Sequence, residues 1–358
     1  MSLFDLIAEL PIEIDGYRLE DLRAPMALDR ERVCTLIRIS GGGHDGAGED
    51  VVYDPDEQLA FQRAGAVHDL SGRWTLAAVC ERVESLDLFP EPPGNEVSRR
   101  YRVWAFESAL LDLALRQAGR SLPEALGRPA RPMRYVSSLR LGEPPTLEPV
   151  RQRLALDPDL RFKLDATSSW TPELIDELVA TGAVDSIDFK GFYRGTIVDQ
   201  PADPLLYRRV AAAFPHAWLE DPDLSSPSTA AALADAHDRI TWDAPIHSVA
   251  DIEALDSSPG FMPRMVNIKP SRIGAVRDLL ATYEHCAAHG IGAYGGGQTE
   301  LGPGRGQAQY LAALFHPDGP NDLAPSAYND PDPPPGIPSS PLGPPVQRPG
   351  FRWDDLVS

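Results

Sequence analysis

Lysines and carboxylates recur in this sequence at a spacing that brings them side by side. In "RFKLDA", residues 161–166, Phe162 and Leu164 alternate with Lys163 and Asp165, the period of a β-strand, so the lysine and the aspartate share one face. Asp188 and Lys190 close "VDSIDFKG", Glu220 closes "HAWLEDP", Asp243 closes "RITWDAP" and Lys269 closes "MVNIKPS". Asp188 precedes Glu220 by 32 residues, Glu220 precedes Asp243 by 23, and Asp243 precedes Lys269 by 26, each one strand plus one helix. Three carboxylates delivered by adjacent strands make an all-oxygen site for a hard divalent cation such as Mg²⁺, with water and substrate oxygens completing its shell. Lysines flank that arc, and a lysine beside a bound cation serves as a general base. Any one of these residues alone reads as a rim salt bridge. Five successive strands carrying one or two each read as a site, because buried charges are costly unless paired or bound to metal.

The elements that position them alternate. From Met133 onward, "MRYVSSLRLG", "LRFKLDA", "VDSIDFKG", "HAWLEDP", "RITWDAP", "MVNIKPS" and "IGAYGGGQTE" each read as a strand followed by a helical segment, and "NDLAPSAYND" supplies an eighth strand. In "TPELIDELVATG" Thr171 is an N-cap, Pro172 fits the first helical position and Gly182 ends the helix. Alternation of this kind implies a parallel sheet with right-handed crossovers, and eight units close into a barrel whose chemistry sits at the C-terminal strand ends. An open doubly wound sheet is the competing architecture, but no GxGxxG or phosphate-binding loop opens a helix. The first 130 residues read as α+β: "RVCTLIRIS" as a strand, "GGGHDGAGED" as a glycine-rich turn, "VVYD" as a short strand and "YRVWAFESALLDLALRQAG" as the principal helix, stopped by Gly119. The expected division is an α+β domain over 1–130, a barrel over 131–328 and a proline-rich segment over 329–358. That last segment, too rich in proline for helix or central strand, reads as an extended strap returning to the first domain, with the aromatics of "GFRW" at its end.

Composition narrows the function. A formal charge of −20 over 358 residues lacks the basic footprint that nucleic acid requires. No apolar run spans a bilayer and "MSLFDLIAEL" is not built like a signal peptide. Cys34, Cys80 and Cys286 are scattered without metal or redox spacing, so a reduced, cytoplasmic setting is expected.

Several segments resemble the enolase superfamily, close in layout to its muconate-cycloisomerase and mandelate-racemase branches. "GAGED" resembles the capping-domain "GxGE" turn, "FESALLDLALRQAGRSLPEALG" the helix joining cap to barrel, and "WLEDP" and "TWDAPIHSVADIEAL" the fourth- and fifth-strand motifs. "VNIKPSRIGAVRDLLATYEHCAAHGI" resembles the sixth-strand lysine segment, the most specific match, and "GGGQTELGPGRGQAQYLAALF" the seventh. The resemblance covers nearly the whole chain. It implies a modified (β/α)7β TIM barrel with an N-terminal α+β cap completed by the C-terminal tail. It implies Mg²⁺, with Mn²⁺ as the alternative, at Asp188, Glu220 and Asp243, and abstraction of a proton α to the carboxylate of a small-molecule substrate to give an enediolate. Isomerisation (cycloisomerase, epimerase or racemase) and elimination (dehydratase or lyase) share that first step. Members of the superfamily often form homo-oligomers, and nothing in this sequence marks an interface.

Two positions depart from the pattern. Related enzymes carry Lys-x-Lys on the second strand, the second lysine being the acid/base, and Asp-x-Asn on the third; here stand Lys163-x-Asp165 and Asp188-x-Lys190. Either Lys190 takes over the lost lysine's role and Asp165 joins the metal shell, or Asp165 and Lys190 pair while Lys163 and Lys269 do the chemistry, or the base on that face is gone. Lys190 and Asp165 are expected to be neighbours, and Lys269 is the strongest acid/base candidate. The seventh strand offers Gln298 and Glu300 in place of a histidine, and Asp322 ends the eighth; for all three, rim and substrate-contact readings stand open. The capping segments contribute Tyr17, Arg23, Met26 and Tyr53 as candidates for substrate contact. The competing functions are a catalytically impaired relative that binds a carboxylate ligand or a metal without turnover, which the lost Lys-x-Lys supports, and a glycosidase-like use of paired carboxylates, against which the lysines argue.

Overall fold

The computed structural model describes residues 1–26, 30–196, 198–257, 260–344 and 348–353. The α+β layer is built from a three-stranded antiparallel sheet, β2 (Gly16–Met26), β3 (Arg30–Gly41) and β4 (His44–Asp50), with the pair β1 (Pro11–Ile14) and β5 (Gly72–Thr75) beside it. The long helix α4 (Val97–Gln117) lies directly on β4. This corrects the expectation for "GGGHDGAGED": only its start is a turn, and the rest is strand β4, while Val51 and Val52 follow it as buried non-strand residues. The glycines are there for packing. A Cβ on Gly46 would stand 2.1 Å from the Ala109 carbonyl oxygen, and one on Gly48 would stand 2.0 Å from that of Ala105.

The second part is the barrel. Strands β6 (Ser137–Arg140), β7 (Phe162–Asp165), β8 (Val184–Asp188), β9 (Trp218–Glu220) and β10 (Ile240–Thr241) run parallel in that order, and β11 (Met265–Ile268) pairs parallel with β12 (Gly292–Gly295). Single parallel bridges close the ring: Trp242 with Val266, Gly296 with Asp322, and Asn321 with Tyr135. The eighth strand is thus as short as Asn321 and Asp322, and most of "NDLAPSAYND" is loop and one 3-10 turn, Ser326–Asn329. Helices alternate with the strands as expected; Pro172–Thr181 is capped by Thr171, whose hydroxyl accepts from the Leu174 amide, and ends at Gly182. Phe162 and Leu164 are fully buried on the helix side of their strand, while Lys163 and Asp165 face the barrel interior. No helix among the described residues is long and apolar enough to cross a membrane, and all three cysteines are buried and free.

The proline-rich segment runs back over both parts. Leu342 pairs with Met133 at the base of the barrel, and the Tyr135 hydroxyl donates to the Pro338 carbonyl. Residues 345–347 lie outside the described residues. Beyond them Gly350 bridges Ser121, and the ring of Phe351 packs against Trp104 on α4 and Tyr310 on the last barrel helix.

Helix α4 also holds the barrel. Its Glu107 is fully buried and accepts at 2.6 Å from the Val276 amide that opens the helix Val276–His289, just beyond Lys269. Its other oxygen is buried with no hydrogen-bonding N–H or O–H among the described residues, near the Cys80 thiol. Burial pushes this carboxyl up to about 8. In the unfolded chain it ionises near 4.5, so the folded state binds the extra proton between these values and loses stability as pH rises through that window. We expect Glu107→Gln, which keeps the acceptor and removes the charge, to flatten the fall in melting temperature between pH 5 and 8 by the equivalent of a few kcal/mol. An unchanged pH profile in thermal melts would refute this.

Candidate active site

Seven of the strand-end residues singled out above, with Asp322, assemble into one buried cluster at the C-terminal mouth of the barrel. Lys163, 1 % exposed, points its ammonium at Glu220 Oε1, at Asp188 Oδ2 (3.1 Å) and at Asp322 Oδ2 (3.4 Å). Lys190 lies beside it, 2.5 Å from Asp188 Oδ2 and 3.4 Å from Asp165 Oδ1. The two positions that depart from the superfamily pattern therefore face each other across adjacent strands. Lys190 has φ +53° and Asp221 has φ +49°, an uncommon conformation for residues with a Cβ; the Lys190 amide is steadied by Asp188 Oδ1 at 2.9 Å.

The other half of the cluster centres on Asp243. Lys269 donates to its Oδ2 at 2.8 Å, Tyr193 donates to the same oxygen at 3.1 Å, and Arg272 donates to Oδ1 at 2.6 Å. Lys269 precedes the one-turn helix Pro270–Ile273, and that turn brings Arg272 back to the same carboxylate. Gly296 gives the lysine room: a Cβ there would stand 2.5 Å from Lys269 Cε and 2.8 Å from the side-chain Nδ2 of Asn267. Asp221 links the halves, accepting from the Asp243 amide at 2.8 Å and the Ala244 amide at 2.9 Å.

Electrostatics follow from this geometry. For Lys163, burial works against the charge, but Glu220, Asp188 and Asp322 outweigh it and hold the ammonium well above its ordinary pKa. Burial likewise opposes charge on Asp188 and Asp243, yet Lys190 and Lys163 hold the first well below the usual carboxylate range, and Arg272 and Lys269 hold the second there. Asp221 makes no ion pair among the described residues; burial, with Asp243 and Asp188 nearby, pushes it up to about 7.

Asp188, Glu220 and Asp221 each offer an oxygen within 4.8 Å of the others. Two of the four carboxylates expected as metal ligands stand in this set; Asp243 is held by Lys269 and Arg272, and Asp165 by Lys190. The donor chemistry fits a hard divalent cation: every ligand atom is a carboxylate oxygen, all three residues are buried, and burial pushes Glu220 and Asp221 up, so both carboxylates would gain a partner from a bound cation.

The remaining candidates pair with groups other than these lysines. Gln298 accepts from the Tyr53 hydroxyl at 2.8 Å and donates to the Tyr101 hydroxyl at 3.2 Å, joining the barrel rim to the cap. Glu300 accepts from the Gln298 amide and lies 3.5 Å from Arg305. The Tyr17 hydroxyl accepts from the His68 amide while its ring meets Phe106 edge-on, and Arg23 pairs with Asp21 and Glu31 on the exposed face of the cap sheet. The side chain of Met26 lies outside the described residues. Four cluster residues were not anticipated: Asp221, Tyr193, Arg272 and Tyr294, whose hydroxyl donates to Glu220 Oε2 at 2.5 Å.

A barrel of eight parallel strands under an α+β cap, with lysines and carboxylates at the strand ends, is the enolase-superfamily fold. Solved structures agree: a superfamily member from Listeria innocua (20 % identity, 88 % of this chain and 86 % of that chain, TM-score 0.63), the muconate lactonizing enzyme from Pseudomonas putida (19 %, 95 % and 96 %, 0.66) and a dipeptide epimerase from Methylococcus capsulatus complexed with a magnesium ion (20 %, 88 % and 92 %, 0.64). The chain belongs to the family described as a domain of unknown function, DUF8230, whose N-terminal domain matches residues 5–125 and whose C-terminal domain matches residues 129–330. No curated protein matches it by sequence.

Proposed function

We propose that this chain is a metal-dependent enzyme that removes the proton α to the carboxylate of a small molecule and then completes an isomerisation or an elimination. The observation that carries this reading is the pairing, in one buried cluster, of an acid-rich oxygen set with Lys269 on the opposite flank. Asp188 and Glu220, with Asp221 or Asp243 as the third ligand, would hold Mg²⁺ or Mn²⁺. Such a cation supplies the positive charge that an enediolate requires and that no side chain alone matches. Lys269 takes the proton from Cα and returns it; Arg272 fixes Asp243, and Asp243 aims the lysine. Lys163 and Lys190 are cations on the other face, where the substrate's carboxylate approaches.

One observation favours a second reading. Lys190 sits against two carboxylates, Asp165 and Asp188, and stays charged, which leaves that face without a ready proton acceptor. A protein so arranged binds a carboxylate ligand or a cation and turns nothing over.

Calorimetric titration with Mg²⁺ tests the metal centre. Wild type should bind, and Asp188→Asn and Glu220→Gln should each weaken binding by ~100-fold or more, as loss of a charged ligand in a buried site does. Whichever of Asp221→Asn and Asp243→Asn shares that loss is the third ligand. Binding unaffected by all four substitutions would remove the metal from this cluster.

A further inference from the structure

We propose that Lys163 is a built-in competitor for the cation site, an internal ammonium that a divalent ion must move aside, and that Asp322 is the seat to which it moves. This rests on the metal reading given above. Two of the three carboxylates that Lys163 touches, Glu220 and Asp188, belong to the oxygen set that would hold the ion. A cation cannot share those oxygens with an ammonium at hydrogen-bond distance without repulsion between like charges.

Lys163 cannot retreat. Its backbone lies in β7, registered against Ser138 on one side and Ser186 on the other. Its neighbours Phe162 and Leu164 are fully buried on the opposite face, so the strand is fixed. The ammonium moves only as far as its own four-carbon stem swings. A buried ammonium without a partner is costly, so displacement needs a second acceptor within that swing. Asp322 is that acceptor. It stands 3.4 Å from the ammonium, on the eighth strand rather than among the oxygen set, and at 20 % exposure it is the most solvated carboxylate that Lys163 touches. The lysine thus holds the acidic set together in the absence of a cation, and yields to a cation by shifting toward Asp322.

The two residues then act on metal affinity in opposite directions and through one path. Lys163→Met removes the competitor and should tighten Mn²⁺ binding by at least ~10-fold, the scale of a unit charge at contact distance in a buried site. Asp322→Asn removes the alternative seat and should weaken it. Simple summed charge would also give those two signs, so the deciding measurement is the double variant. If Asp322 works by receiving Lys163, Asp322→Asn has no further effect once Lys163 is methionine, and Lys163→Met/Asp322→Asn binds as tightly as Lys163→Met.

The experiment is calorimetry with Mn²⁺ alone on the four full-length proteins, with circular dichroism to establish folding. Should Lys163→Met unfold without metal, Lys163→Gln replaces it, and refolding of Lys163→Met on adding Mn²⁺ supports the proposal, since the ion then fills the ammonium's role. Unchanged or weaker binding in both Lys163 variants overturns it, as does an additive double variant. Wild type that binds while Lys163→Met binds no tighter refutes the competition and leaves the metal site standing; if none of the proteins binds Mn²⁺, the metal reading falls and this inference with it.

Discussion

With Lys269→Met, an acid whose α-proton the wild-type protein exchanges into D₂O should keep that proton, with the exchange rate reduced ~1000-fold, the middle of the range for removing a general base. Methionine has nearly the same length as lysine and fills the same slot between Asp243 and Gly296, so the fold has little reason to change. What is lost is the one ammonium on that flank whose single carboxylate partner also binds an arginine, so Asp243 stays paired when the lysine goes. Proton NMR of a panel of carboxylic acids, read as disappearance of the α-proton signal, makes the measurement. Exchange that persists within tenfold of wild type would assign the proton to another group and return Lys269 to the status of a structural ion pair.

The largest effect on stability should come from Asp112→Ala. This carboxylate on α4 is fully buried and accepts from the Ala47 amide at 3.0 Å, the Phe351 amide at 2.8 Å, Arg116 at 3.0 Å and Arg352 at 2.6 Å. It joins a cap strand, its own helix and the returning strap. Removing it takes one acceptor from each of two guanidinium groups and from two amides, which costs ~3–5 kcal/mol when a buried pair loses one partner. Urea melts of the two proteins give the difference directly. A loss below ~1 kcal/mol would mean that Asp112 does not carry the junction.

Much of this was legible because period and charge agree. Lys163 and Asp165 could be placed on one face of a strand by alternation alone, and the repeat of strand and helix put Asp188, Glu220, Asp243 and Lys269 at successive strand ends. Tyr294 was within reach of the same logic: it shares a period-two face with Gly296 and Gln298, and its hydroxyl does reach Glu220. Arg272 follows Lys269 by three residues, which a single helical turn converts into shared contact with Asp243. Tyr193 had no such signal. It lies in the loop after the third barrel strand, where no periodicity constrains a side chain, and only the folded path of that loop brings its hydroxyl to Asp243. The glycine-rich cap segment misled for a different reason: glycine marks both a turn and a strand pressed against a helix, and only the position of α4 distinguishes them.

The strap also fixes an order of events during synthesis. Trp104 and Asp112 leave the ribosome long before Phe351 and Arg352, which complete their contacts. Until those residues emerge, Trp104 lacks its edge-on ring and Asp112 has Arg116 and the Ala47 amide but neither of its strap partners, while every barrel strand has already been made. The junction between cap and strap is therefore closed only once residues 350–352 are made, and a chain arrested on the ribosome before residue 351 would be the species that chaperones and proteases recognise.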